Sequence, residues 1–491
     1  MGDERTSAPT ASRPGQRDLT TGPIGPVLLA FAVPTLISSV LQSLNGSINA
    51  IWVGRFLGED ALAATSNANM TMFLLMAFVF GFGMAATVLI GQAFGRHDLA
   101  EVRRVTGTVI GAFVPVAAAI GLLGWIFAPD LLRILATPPD AVPLALAYLR
   151  VIFIAMPPIL LATLLVMSLR GAGDAMTPLW FMIVAVVLDS GLNPVFILGL
   201  GPVPAMGIAG SAMATVVANY VALIGLIVFI YRRDLPIRLR GAELRLLWPD
   251  RALLGIVVRK GVPMGLQMIV VSASALAALG LVNREGVHTT AAFGVVLQLW
   301  AYIQMPAMAL AAAVSAMVAQ NIGAGRWDRV GKVTRAGILY NLAITGSLVV
   351  VLAVADRPAL ALFLGGESPA LPIARHIQLL VTWSFLLFGV TMILFGTVRA
   401  NGAVLGPLII FAIGLFPIRL GFAVGAYPWL GADALWLSFP VSALANMAMA
   451  IAFYLHGGWR ESRMMAPPPV TELEEEAQAV AEPGGRLNPS G

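Results

Sequence analysis

Cysteine is absent from this chain and charge is scarce. Without cysteine there are no disulfides, no thiolate metal sites and no cysteine nucleophile. Four histidines, His97, His288, His376 and His456, are widely scattered, and nothing in their spacing suggests a metal site. Only 11% of the 491 residues are charged, against roughly a quarter in a typical soluble domain. So few charges cannot cover the surface of a soluble protein of this length, so much of the solvent must be lipid. No cleavable leader is expected: residues 1–22 mix Arg5, Arg13 and Arg17 with Asp, Glu, Ser, Thr and Pro and have no apolar core. A disordered cytoplasmic tail is expected over 1–24, with the first helix as an uncleaved signal. The far end, 459–491, holds Pro467-Pro468-Pro469 and Glu472, Glu474, Glu475 and Glu476, and is expected to be a second disordered cytoplasmic tail.

What is abundant is apolar sequence, 58% of the chain. A helix needs about 20 apolar residues to cross a bilayer, and runs of that length recur from 27–53 to 434–456. The fold class is therefore an all-α polytopic membrane protein, with twelve transmembrane helices expected in two pseudo-symmetric six-helix bundles. The expected division is an N-lobe over 25–231, a basic cytoplasmic linker over 232–253 and a C-lobe over 254–458. Most of the 30 Lys and Arg residues fall on one side of this threading. They include Arg96, Arg103 and Arg104, the run from Arg232 to Lys260, and Arg326 to Arg335. Basic loops stay in the cytoplasm, so both termini are expected inside a multi-pass protein of the inner (plasma) membrane. The net charge of +5 follows from topology and requires no nucleic acid.

The two bundles are expected because the chain repeats. Gln92 and Gly95 reappear as Gln320 and Gly323; Pro34, Arg170 and Pro178 reappear as Pro263, Arg399 and Pro407. The offset of 228–229 residues spans six helices, so the halves point the same way and leave a central cleft between them.

Several short motifs, in this order and spacing, resemble the MATE family, the multidrug and toxic compound extrusion exporters. They are Ile51-Trp52-Val53-Gly54-Arg55, Gly91-Gln92, Arg170-Gly171-Ala172-Gly173-Asp174, Asn193-Pro194, Gly207-Ile208-Ala209-Gly210-Ser211 and Ala319-Gln320-Asn321-Ile322-Gly323. The resemblance covers about 25–456. It implies a V-shaped pair of six-helix lobes that exports small organic, often cationic, compounds against protons or sodium, with no enzymatic activity and no cofactor beyond the coupling ion. It also implies acids at Asn49 and Asn193 and an amide at Asp189, so this chain departs from the pattern. Family acids of the C-lobe are replaced here by residues such as Val271, Ser272 and Thr382, which argues against a sodium site in that lobe.

Asp189, in the middle of the fifth apolar run, is the residue most in need of explanation. A carboxylate at mid-membrane costs roughly 2.5–3.5 kcal/mol even on the lenient insertion scale. Asn193 lies four residues on, and the first run carries Asn45 and Asn49 at the same spacing, so each pair shares a helix face. These four residues form the expected cation- or proton-binding site. The acid could carry a proton, share a sodium ion with the amides, or only tie helices together. Asn69, Gln267, Ser272 and Gln298 are polar residues on apolar helices and the expected substrate contacts, Gln267 and Gln298 because family clefts are lined by spans seven and eight. Pro34 is the expected point of bending in the first helix. Arg419, in the eleventh run, is expected to snorkel to the membrane surface. The reading is a proton-coupled antiporter working by alternating access as a monomer. Competing readings are a sodium-coupled exporter of the same family, a lipid-linked sugar flippase of a related superfamily, and a non-transporting paralogue.

Overall fold

The structure is a computed structural model that describes residues 18–134, 142–199, 201 and 204–464; side chains at 59–60, 62–64, 66–71, 73–75, 78 and 134 lie outside the description. Lipid offers backbone groups no hydrogen bonds, so apolar runs close theirs internally as helices. The first lobe contains α1 (Ile24–Leu57), α2 (Glu59–Gly95), α3 (Leu99–Ile134), α4 (Val142–Gly171), α5 (Met176–Leu198) and α6 (Ile208–Arg232). The second contains α7 (Arg251–Val282), α8 (Val287–Gly323), α9 (Trp327–Val354), α10 (Asp356–Leu364), α11 (Ala370–Val381), α12 (Phe385–Arg399), α13 (Leu405–Ile413), α14 (Arg419–Gly425), α15 (Tyr427–Leu430) and α16 (Asp433–His456). Among the described residues, eleven spans are long and apolar enough to cross a membrane. They count α11 with α12 and α13 with α14 as one each. The remaining long helix, α2, has 37 residues, and its described part includes the apolar stretch Val79–Gly95.

Two C-lobe spans are irregular. A 3₁₀ turn at Thr382–Ser384 interrupts the tenth. In the eleventh, a π-helical turn at Gly414–Ile418 contains Pro417. Proline lacks the N–H that would close an α-turn, and π-turns are common at functional positions. Pro34 leaves α1 continuous in this conformation. Ser38 donates to the Pro34 carbonyl at 2.8 Å and Thr35 to the Phe31 carbonyl at 3.0 Å.

The face on which α1 begins and α16 ends is termed the terminal face. Two segments there differ from expectation. Residues 18–23, expected within a disordered tail, form an ordered strap in which Leu19 has 0% of its surface exposed. Residues 459–464, expected in the other tail, place Trp459 and Met464 in the core. Asn401 donates to the carbonyls of Trp459 and Arg460 at 2.9 and 3.0 Å. Burial of a large apolar side chain outweighs the polar composition around it in both cases. The remainder of both expected tails lies outside the described residues. The linker is folded onto α3: Arg103 pairs with Glu243 at 2.6 Å and Arg104 with Asp250 at 2.5 Å. The Arg104 guanidinium, with the amides of Leu253 and Ala252, holds the Asp250 carboxyl below the usual carboxylate range.

Candidate functional site

Asp189 sits on α5 with 3% of its surface exposed, and three helices supply its partners. Asn45 of α1 donates to Oδ2 at 2.8 Å, and Thr215 of α6 donates to Oδ1 at 3.1 Å. Asn193, one turn on, donates to the Asp189 carbonyl at 3.0 Å and to Oδ1 at 3.3 Å. Asn49 lies one turn beyond Asn45 and accepts from Ser211 Oγ at 2.6 Å. Buried Tyr148 of α4 lies beside Asn49 and within electrostatic reach of Asp189. Of the residues expected at the cation site, Asn45 and Asn193 bond the Asp189 carboxylate directly, while Asn49 bonds Ser211, one turn from Thr215 on α6. The structure adds Thr215, Ser211 and Tyr148, which sequence reasoning missed. Ser211 and Thr215 share one face of α6 at i,i+4 spacing, a signal too common among apolar helices to single them out.

Every partner of the carboxylate is neutral; no Lys or Arg among the described residues pairs with it. An intramembrane charge is usually compensated by an opposite one, and here none of the described residues supplies it. The buried Asn193 Oδ1 has no hydrogen-bond partner among the described residues. It is a spare acceptor immediately beside the acid.

The second feature of the site is how the lobes close on the terminal face. Gln92 of α2 donates to the Ala400 carbonyl of the opposite lobe at 2.7 Å. Its repeat counterpart, Gln320 of α8, donates back to the Gly171 carbonyl at 3.0 Å. The two bonds are images of each other under the repeat. Glycine permits the approach: a Cβ on Gly95 would overlap the Gln320 carbonyl, and one on Gly323 would overlap that of Gln92. The strap crosses the same seam. Leu19 N donates to Gln320 Oε1 at 3.1 Å, and Asn321 Nδ2 donates to the Leu19 carbonyl at 3.1 Å. Arg326 and Arg329 bind the carbonyls of Thr20 and Gly22 at 2.7 and 3.0 Å. One apolar core joins both lobes through residues such as Leu89, Leu164, Val314 and Val318. A second core, around Phe293, Trp300 and Trp436, draws only on the C-lobe. Burying a leucine is worth about 1.5–3 kcal/mol. Leu19→Asp is therefore expected to speed amide hydrogen exchange in residues 18–23 by at least about tenfold while leaving α5 protected; unchanged exchange in 18–23 would show that the strap is held by other contacts.

The family model MatE matches the chain twice, over residues 34–195 and 263–424, the two copies offset by the repeat. The chain belongs to the MATE family of transporters. It is 38% identical over 426 residues to the probable multidrug resistance protein YoeA of Bacillus subtilis, covering 86% of this chain and 92% of that one. The probable multidrug resistance protein NorM of Thermotoga maritima is 24% identical, over 91% and 95% of the two chains. A solved outward-facing MATE transporter of the MOP superfamily superposes with a TM-score of 0.82 at 21% identity, over 92% and 99% of the chains, which shows the shared fold. This MATE chain is thus a multi-pass membrane transporter of the multidrug efflux family and not an enzyme, and the family match sets the sugar-flippase reading aside.

Its expected substrate contacts are dispersed. Gln267 is buried and accepts from Arg399 Nη1 at 3.4 Å. Its Nε2 has no hydrogen-bond partner among the described residues. Ser272 is half-buried and bonds back to the Met268 carbonyl at 2.9 Å. Gln298 is exposed on α8. The Asn69 side chain lies outside the described residues. Arg419 does not reach for the surface: its Nε donates to Ser442 at 3.1 Å and its guanidinium lies 4.4 Å from the Phe439 ring centroid.

Proposed function

We propose that this MATE protein exports small organic, often cationic, compounds by proton antiport through alternating access, in the inner membrane with both termini in the cytoplasm. The observation that carries the reading is the lone carboxylate of Asp189 among neutral donors, with an unused acceptor at Asn193. Protonation of Asp189 converts one of its oxygens from acceptor to donor. A turn of the Asn193 amide then offers Oδ1 to the new O–H, so a proton can be taken up without opening a void or stranding a charge. Sodium would need several oxygens turned toward it. Both carboxylate oxygens are already engaged by N–H and O–H donors, so the proton is the better fit.

The terminal-face closure supplies the second element of antiport. With the lobes joined there by Gln92, Gln320 and the strap, a cleft between them would open to the opposite side. Proton loading at Asp189 would shift α1, which carries Asn45 and the expected bending point Pro34, and break the seal in turn. Because one-for-one exchange of a proton for a monovalent cation moves no net charge, the pH gradient drives it, at about 1.4 kcal/mol or a tenfold substrate gradient per pH unit. The basic linker and loops, with the positive-inside rule, support cytoplasmic termini.

The reading is tested with purified protein in proteoliposomes. A fluorescent organic cation should accumulate when a pH gradient is imposed in sodium-free buffer. Accumulation only with a sodium gradient would favour sodium coupling. Binding without flux under either gradient would mark a non-transporting paralogue.

A further inference from the structure

The 229-residue repeat carries Asp189 to within one residue of Arg419, so the two lobes hold opposite charges at corresponding places. The surroundings are alike in kind, each group meeting a hydroxyl of the following span. Asp189 on the fifth span bonds the Thr215 hydroxyl of the sixth; Arg419 on the eleventh bonds the Ser442 hydroxyl of the twelfth. Asn45 of α1 has Ser274 of α7 as its repeat counterpart, and Ser274 donates to the Leu415 carbonyl at 3.1 Å, inside the π-turn that precedes Arg419.

Ser442 lies nine residues into α16 from Asp433, about 13 Å along the helix, so the guanidinium is well inside the membrane. Its contacts are one hydroxyl and one aromatic face. No described carboxylate pairs with it, and its terminal Nη groups have no acceptor among the described residues. An arginine at this depth is expensive, and snorkelling, which would relieve the cost, does not occur. The side chain is half-buried, so part of it is open to a partner from outside the chain. A guanidinium prefers a carboxylate or phosphate, which it can bind through two parallel hydrogen bonds.

We propose that Arg419 is an anion-binding point in the C-lobe and that this transporter favours substrates carrying a carboxylate or phosphate, zwitterions in particular. The inference rests on the export reading above. It adds that the cleft is bipolar: Asp189 exchanges the coupling proton on one wall, and Arg419 takes the acidic group of the cargo on the other. Phe439 under the guanidinium keeps it desolvated and oriented, which raises its selectivity for a bidentate acceptor over water.

The test uses one fluorophore in two forms, tetramethylrhodamine, which carries a carboxylate, and its methyl ester, which does not. Wild type in phosphatidylcholine vesicles should transport the free acid with an apparent affinity about tenfold above that of the ester. Arg419→Gln should remove that preference while leaving ester flux within about twofold, and Arg419→Lys should keep part of it. Equal handling of both dyes by wild type, or a preference that survives Arg419→Gln, overturns the inference even if the ester is exported. If neither dye is exported, anisotropy binding in detergent gives the same comparison independently of flux, so failure of the export reading is distinguishable. If Arg419→Gln fails to fold, Arg419→Lys and Ser442→Ala carry the comparison, and no change in preference in either overturns it. An anionic lipid headgroup is the other source of the same chemistry. Adding phosphatidylglycerol should leave the preference in place, and its disappearance would assign Arg419 to lipid.

Discussion

Asp189→Asn is expected to reduce the substrate accumulation ratio under a pH gradient to about one, its value in the absence of coupling. The substitution keeps the size of the side chain and removes only the group that can lose or gain a proton. An asparagine at 189 can still accept through its Oδ1 from Asn45 or Thr215, so the packing of α1, α5 and α6 has little reason to fail. A purely structural role for Asp189 predicts the reverse pattern, with lower thermal stability and retained coupling. Asn45→Ala should fall between the two. It deletes the 2.8 Å bond to Oδ2 but keeps the carboxylate, so coupling should weaken without disappearing. Measuring uphill flux and unfolding temperature on the same preparations separates these roles.

The second large effect is expected from joining the lobes on the terminal face. A Cβ on Gly91 would stand 3.0 Å from that of Ala319 across the seam, and a disulfide needs about 3.5–4.5 Å. A shift of under about 1 Å makes the pair compatible. The chain has no cysteine of its own, so Gly91→Cys with Ala319→Cys provides a single defined crosslink. Oxidation should bring transport to about a tenth or less of the reduced protein's rate, because one half of the alternating-access cycle requires this seam to part. Dithiothreitol should restore it, and each single cysteine should transport normally under both conditions. Full activity in the oxidised, crosslinked protein would mean that the seam stays shut throughout the cycle.

The parts of this site that were legible in the sequence were those whose cost is visible one residue at a time. Asp189 stands out because an acid in an apolar run needs a reason, and Asn45, Asn49 and Asn193 follow from helical spacing. The repeat was legible because prolines, glycines and arginines recur at one offset, and it anticipated the mirrored bonds of Gln92 and Gln320 as a shared motif without giving their targets. Thr215 and Tyr148 were not legible, since hydroxyls on apolar helices usually serve their own helix. The strap was hidden for a different reason. Leu19 lies in a polar stretch, and the groups that capture it, Gln320 and Asn321, are 300 residues away. Composition reports how a segment behaves alone, and this segment is ordered only by a surface built by both lobes. Arg419 was misplaced by the rule that long cations near helix ends snorkel. The π-turn before it and the Phe439 face beneath it, neither readable from spacing, hold it inward. Gln267 was expected as a substrate contact from the family pattern; its carbonyl accepts from the buried Arg399, a bond that spacing did not announce.

Substrate-evoked proton movement tests the central claim most directly. Proteoliposomes would be loaded with a pH-sensitive dye, given a pH gradient in sodium-free buffer, and then challenged with substrate. The account predicts that substrate dissipates the gradient in wild type and that Asp189→Asn shows only the passive leak. A gradient undisturbed by substrate while wild-type export continues, or one dissipated equally by the variant, would contradict it.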